Sequence, residues 1–409
     1  MNANNPERAL MKRVIADTSF AYLVSGALAL IIPLLLLEHN VNVAEIGIVL
    51  SVYPLIFLSA RLLFAALADR VGWGHVFALI NWPTTFFSTL IYFFASSTTG
   101  FFIGKIVEAL RESSYWAVNR TAIFSLSPNR EEHEATRINA VIWLSTAGGS
   151  AIAGVGIAYI GFSSTLLVLI FASAAMGIPA LALWKQRSVL PPKTEKKSRS
   201  AISLSPRGRD RTFWRVSIAL LFYSLATYPL ITLLLPVFMD QQLKYNYLSI
   251  GVAFMLYNVV AALVTLITLK KPINRARAVY QSIIGIVASF LLANSGFYFL
   301  AFFLALAVQR GLGIGFFESI VAKVTKNNSA VSVDIGWLHV PTRLAEFASV
   351  LSAGYVAQYL GYLPVFVASG VAFAVFSILS LSIVKQDCPK ENIENEFEKS
   401  LNKPKNLDL

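Results

Sequence analysis

The chain of 409 residues holds one cysteine, Cys388, and four histidines, His39, His75, His133 and His339, set far apart. A disulfide framework is therefore excluded, and no Cys/His zinc spacing is present. Charge is scarce as well. Asp, Glu, Lys and Arg make up 14% of the residues, against about 25% in soluble domains. No Gly-x-x-x-x-Gly-Lys-Ser/Thr stretch occurs, so this chain drives nothing by P-loop nucleotide hydrolysis. Neither a metal nor a cofactor is expected.

What is abundant is apolar surface: 56% hydrophobic residues and a mean hydropathy of +0.63. It comes in repeated runs of about 20 residues, the length that crosses a ~30 Å hydrocarbon core as a helix. The runs are continuous rather than alternating at period two, which points to helices and not to a barrel. The first run, from Val14 past Leu35, is too long for a signal-peptide core and reads as a retained span. Spans are expected near 14–37, 43–64, 76–96, 100–125, 138–160, 164–185, 213–238, 246–269, 278–294, 297–322, 335–359 and 362–384.

A net charge of +12 would indicate nucleic acid in a soluble protein. Here the positive-inside bias explains it, and no nucleic-acid partner is expected. One set of connections carries Arg8, Lys12, Arg13, Arg70, Arg130, Arg137, the basic stretch from Lys185 to Arg211, Lys270, Lys271, Lys323, Lys326 and Lys385. The opposite set carries Lys244 and essentially no other Lys or Arg. The expectation is a multi-pass protein of the plasma or inner membrane, with both termini cytoplasmic.

The polar, basic segment 186–211 is the one long hydrophilic interior stretch. It divides the chain into an N-terminal six-helix bundle (1–185), a cytoplasmic linker (186–211), a C-terminal six-helix bundle (212–385) and a charged tail (386–409). The halves resemble each other. Ala153-Gly154 and Tyr159-Ile160-Gly161 match Ala353-Gly354 and Tyr359-Leu360-Gly361, an offset of 200. Ile46-Gly47 and Tyr53 match Ile250-Gly251 and Tyr257, an offset of 204. Parallel six-helix repeats about an axis along the membrane normal are one architecture of secondary transporters.

After the second span the chain reads Ala65-Ala66-Leu67-Ala68-Asp69-Arg70-Val71-Gly72. Gly72 permits a turn costly for other residues, and Asp69 can accept hydrogen bonds at a helix N-terminus. This loop resembles the major facilitator superfamily signature Gly-x-Leu-Ala-Asp-Arg-x-Gly-Arg-Lys. Leu67, Ala68, Asp69, Arg70 and Gly72 match it; Ala65 replaces the first glycine, and Trp73-Gly74 replaces the basic pair. The resemblance implies an all-α integral membrane fold of twelve transmembrane helices in two pseudo-symmetric six-helix bundles. It also implies a cytoplasmic latch at Asp69, Arg70 and Gly72, with the start of span eleven and with Arg120 or Arg130 as partners. The Gly-rich fifth span, Gly148-Gly149-Ser150 through Gly154-Val155-Gly156, lacks the Pro of the superfamily's drug/proton antiporters. Close helix packing through small residues is the simpler role for it.

Nearly all charges inside spans fall in the fourth, tenth and eleventh: Lys105, Glu108, Arg111, Glu112, Arg310, Glu318, Arg343 and Glu346. Each costs at least ~2.5–3.5 kcal/mol at bilayer depth on insertion scales. Spans three, six, nine and twelve carry none in their interiors, and in the superfamily fold those four are outer supports. Tyr115 and Asn119 share a helical face with Lys105, Glu108, Arg111 and Glu112.

Four cations oppose four anions, so structural ion pairing competes with function, although buried pairs add little net stability. Proton exchange at Glu108, Glu112, Glu318 or Glu346, and anion binding at Arg111, Arg310 or Arg343, are the functional readings. Asp17 and Arg61 are expected to pair near the cytoplasm. Asn81-Trp82-Pro83 is expected to kink its helix. For Trp143, Tyr223, Tyr228, Tyr257 and Asn258, packing is the simpler role and substrate contact the alternative.

The expectation is a monomeric, non-enzymatic secondary transporter. It would move a small molecule (an organic anion, a zwitterion or a drug-like compound) through the bilayer by alternating access, with protons as the coupling ion. The rival readings are a membrane-embedded lipid-handling enzyme and a sensor built on a transporter fold.

Overall fold

A computed structural model describes residues 6–127, 131–185, 209–268, 275–292, 294, 296–325 and 331–385. These are almost entirely helical, with no β-strand among them. Most of the 186–211 segment, the tail and Arg130 lie outside the described residues, as do the side chains of Asp69, Arg70, Arg120 and Glu318.

Each expected span falls on helix. In the first half these are α1 (Pro6–Glu38), α2 (Val43–Val71), α3 (Trp73–Phe94) and α4 (Thr98–Leu126). One continuous run, Glu131–Ala175, contains α5 (131–160) and the start of α6 (162–185), divided at Gly161. In the second half they are α7 (Arg211–Gln241), α8 (Tyr247–Thr268), α9 (Arg275–Leu292), α10 (Phe299–Thr325), α11 (Val331–Leu360) and α12 (Leu363–Lys385). Among the described residues, eight helical runs are long and apolar enough by themselves to cross a membrane. α4 is not among them, in keeping with its five charged residues, Lys105, Glu108, Arg111, Glu112 and Arg120.

Local chemistry explains the boundaries. Asn42 accepts from the Glu45 N–H at 2.9 Å to start α2, and Asp210 accepts from the Phe213 N–H at 2.8 Å to start α7. Such caps contribute about 0.5–2 kcal/mol each. α2 ends at Gly72, whose φ of 91° favours glycine. Two π-helical turns, Phe77–Asn81 in α3 and Leu230–Leu234 in α7, each run into a proline, Pro83 and Pro236. A proline ring crowds the carbonyl four residues back, and a widened turn relieves this. At Asn81-Trp82-Pro83, where a kink is expected, the helix carries this π-helical turn.

The repeat is visible in the fold. Gly161 and Gly361, equivalent in the alignment, both turn the chain at positive φ, 80° and 83°. Tyr159 and Tyr359, also equivalent, stand 74% and 75% exposed just before those turns, as aromatic residues do at a membrane interface. The two halves touch through a matched pair of glycine contacts. A Cβ at Gly47 would lie 3.0 Å from the Gly354 Cα, and one at Gly154 would lie 2.6 Å from the Gly251 Cα. The alignment maps Gly47 to Gly251 and Gly354 to Gly154, so a two-fold axis carries one contact onto the other.

These contacts lie on the side of the bundle opposite the termini, here called the far side. Three more join the halves there. The Tyr247 hydroxyl donates to Glu38 at 3.0 Å, the Val43 N–H donates to Gln358 at 2.9 Å, and the Phe162 and Tyr247 rings meet edge-on at 5.3 Å.

Candidate functional site

Between the halves lies a cavity of about 410 Å³. Its walls come from α1, α2, α4, α5, α7, α8, α10 and α11. No lining residue comes from α3, α6, α9 or α12, the four expected outer supports, whose interiors carry no charge. The lining reaches Arg61, Asn139 and His339 toward the terminal side, whereas glycine contacts close the far side.

On α4 the four charges whose side chains are described settle into two pairs. Lys105 donates to Glu108 Oε2 at 2.8 Å, and the Tyr92 hydroxyl donates to the same oxygen at 2.7 Å. Arg111 meets Glu112 at 2.5 Å, donates to Ser25 at 3.0 Å, and lies 5.5 Å from the Tyr22 ring centre. Glu112 Oε1 also accepts from the Tyr22 hydroxyl at 3.1 Å and from the Trp116 indole at 2.7 Å. On α11, Arg343 donates to Glu346 at 2.6 Å, and Ser224 of α7 donates to the other Glu346 oxygen at 3.1 Å. Hydrogen bonding of both oxygens is what makes a buried carboxylate tolerable.

Two arginines of the second half lie against aromatic rings of the first. Arg343 sits 4.0 Å from the Phe57 ring centre, and Arg310 sits 4.5 Å from that of Trp143. Arg310 is partly exposed in the cavity, with Tyr257 as a hydrogen-bond partner. Among the described residues no carboxylate is within ion-pair distance of it.

Of the residues singled out from the sequence, Lys105, Glu108, Glu112, Arg310, Arg343 and Glu346 line the cavity. Arg111 stands one layer behind, tied to the lining residue Ser25. Tyr115 and Asn119 are buried outside the lining. Tyr115 shares a 3.2 Å hydrogen bond with Thr18 and packs edge-on against Tyr22 of α1 and Phe77 of α3. That turn of α4 is covered by neighbouring helices.

The expected pair of Asp17 with Arg61 does not form. Asp17 faces α3, where the Asn81 amide at the end of the π-helical turn donates to it at 3.0 Å. Arg61 lies 5.7 Å from the Phe57 ring centre and lines the cavity. Trp143, Tyr223, Tyr228, Tyr257 and Asn258 prove to be wall residues. So do Tyr22, Tyr53 and Trp116, none of which stood out by charge. The repeat held a signal for Tyr53, which is equivalent to Tyr257. The fifth-span glycines serve packing. Gly149 abuts the Leu23 carbonyl of α1, and a Cβ at Gly156 would lie 2.5 Å from Thr165.

The model of the Major Facilitator Superfamily matches residues 18–333. The chain belongs to the major facilitator superfamily. Comparison with curated protein sequences gives no match. Solved structures share the superfamily fold at low identity. A bacterial homologue of the human lysosomal transporter Spinster, in an inward-facing and unoccupied conformation, has a TM-score of 0.68 at 14% identity, covering 94% of this chain and 98% of that one. The human organic anion transporter MFSD10 has a TM-score of 0.69 at 15% identity, covering 92% and 100%. As a superfamily member the protein is a multi-pass membrane transporter of small molecules.

Proposed function

We propose that the protein is a secondary active transporter that carries a small organic solute through the central cavity by alternating access, coupled to protons. Both termini would face the cytoplasm of a plasma or inner membrane, and one chain would suffice. The observation that carries this reading is a cavity walled by both halves and closed on the far side by two glycine contacts related by a two-fold axis. Rocking the halves about an axis in the membrane plane, perpendicular to that two-fold, would part the glycines and open the far side. With the termini cytoplasmic, the described state faces inward, the conformation named for the Spinster homologue.

For the proton, Asp17 is the strongest candidate, ahead of the glutamates expected from the sequence. Glu108, Glu112 and Glu346 each have a cation within 2.8 Å. Asp17 is fully buried and makes no ion pair among the described residues; its partner is a neutral amide. Asp17 Oδ1 and Asn81 Oδ1 both lack hydrogen-bond partners. A proton on Asp17 would supply a second bond and close a reciprocal acid–amide ring. Arg111 is the cation whose field reaches it.

The test is reconstitution into liposomes. Solute flux should follow an imposed pH gradient and collapse with a proton ionophore. Asp17→Asn, which mimics the protonated acid, should retain solute exchange and lose accumulation driven by the gradient. Gradient-driven accumulation that survives Asp17→Asn would remove Asp17 from the coupling.

A further inference from the structure

The substrate class can be read from a mismatch in how the cavity charges are satisfied, an argument that rests on the transport reading above. Three embedded cations are matched. Lys105, Arg111 and Arg343 each hold a glutamate within 2.8 Å. The glutamates have further donors of their own: Tyr92 on Glu108, Tyr22 and Trp116 on Glu112, Ser224 on Glu346. Arg111 Nη1, Glu112 Oε2 and Arg343 Nε keep no hydrogen-bond partner, but in each pair the charge is already neutralised, which leaves little gain for an added anion.

Arg310 is different. Among the described residues it has an aromatic face, Trp143, and a phenol, Tyr257, but no carboxylate within ion-pair distance. Glu346, whose field reaches it, is already held by Arg343 and Ser224. A guanidinium presents five N–H donors in a planar fork. A ring face and one hydroxyl leave most of that fork unused. A cation in this state at bilayer depth is costly, and a partly exposed one can be relieved by an anion entering from the cavity.

The surroundings narrow the anion further. Trp143 holds the guanidinium from the opposite half, and Tyr223, Tyr228 and Phe254 line the same cavity. These provide flat apolar surface for a ring or hydrocarbon body. A volume of about 410 Å³ lies within the ~300–1,000 Å³ range of sites for drug-sized ligands. We infer that the cavity binds amphipathic organic monoanions: one carboxylate or sulfonate held bidentately by Arg310, on an aromatic or apolar body resting against Trp143. Because Arg310 belongs to the second half and Trp143 to the first, such a ligand would contact both moving parts.

The experiment uses the full chain in nanodiscs with three probes of one shape: naphthalene-2-carboxylate, its carboxamide, and naphthalen-2-ylmethylammonium. Binding is read by thermal shift and by quenching of tryptophan fluorescence. The carboxylate should bind at least tenfold more tightly than the other two. Arg310→Gln should abolish that preference. Arg310→Lys, a point charge without the fork, should keep part of it. Trp143→Leu should weaken carboxylate and carboxamide alike, since it removes the stacking surface and leaves the charge.

Equal binding of carboxylate and carboxamide, no binding of any probe, or a preference that survives Arg310→Gln would each overturn the inference. The transport reading is judged separately, by impermeant thiol labelling of Thr232→Cys in a Cys388→Ser background from each side of the membrane. Labelling that can switch sides while the carboxylate preference is missing refutes the anion assignment alone. Labelling restricted to one side under every condition refutes alternating access.

Discussion

Gly154 of α5 and Gly251 of α8 pack backbone to backbone: a Cβ on the first would stand 2.6 Å from the Cα of the second. No side chain fits between them, and the backbones cannot yield without separating the two halves. Gly154→Leu should therefore disfavour the closed far side. Far-side labelling of Thr232→Cys should rise severalfold, and Gly47→Leu at the related contact should have the same effect. Gly148→Ala, where the nearest atom to the added Cβ is a flexible leucine methyl at 4.0 Å, should leave labelling unchanged.

The Lys105–Glu108 pair is buried on both sides, so removing one partner should cost more than removing both. Lys105→Met leaves Glu108 with the Tyr92 hydroxyl as donor but no cation and should destabilise the fold by about 3–5 kcal/mol. The double variant Lys105→Met/Glu108→Gln should recover most of that loss. Thermal unfolding of the purified variants would show the recovery, and additive losses would contradict it.

Asp17 depends on one side chain for its hydrogen bond. Asn81→Leu removes that donor and should destabilise the protein by about 1–3 kcal/mol, the cost of stranding a buried polar group. Asp17→Asn should be far milder, since two amides can satisfy each other in the same place. A comparison of unfolding midpoints decides the ranking, and Asp17→Asn being the worse of the two would contradict it.

At the rim, the Tyr247 hydroxyl donates to Glu38 across the halves at 3.0 Å in an exposed position. Tyr247→Phe deletes a bond worth about 1 kcal/mol, a factor of about five in an equilibrium constant. Overall stability should fall by no more than that amount. The open far-side population should rise by about that factor, measured through the same cysteine labelling.

Much of this protein could be read along one dimension. Bilayer thickness sets the length of each apolar run. The positive-inside bias supports an orientation. The cost of embedded charge singles out α4, α10 and α11 before any helix is placed. The offsets that align Gly47 with Gly251 and Gly154 with Gly354 anticipated the two-fold relation. In each case the physical cause acts on a residue according to its depth or spacing, which the chain order already encodes.

The rotation and neighbours of each helix were decided by tertiary packing. Tyr115 and Asn119 share a face with the charged residues of α4, yet α1 and α3 cover that turn. Asp17 and Arg61 have complementary charge and similar depth, yet Asp17 turns to Asn81 on a π-helical turn that proline chemistry creates, and Arg61 turns to the cavity. Arg310, one of four embedded cations in the sequence count, differs from Lys105, Arg111 and Arg343 only through what surrounds it. Hydrogen bonds and ion pairs act over about 3 Å between residues up to 315 positions apart. Depth and composition determined that this chain crosses a membrane and where its charges lie; the contacts between helices decided which of those charges are spent on each other and which one faces the cavity with its fork open.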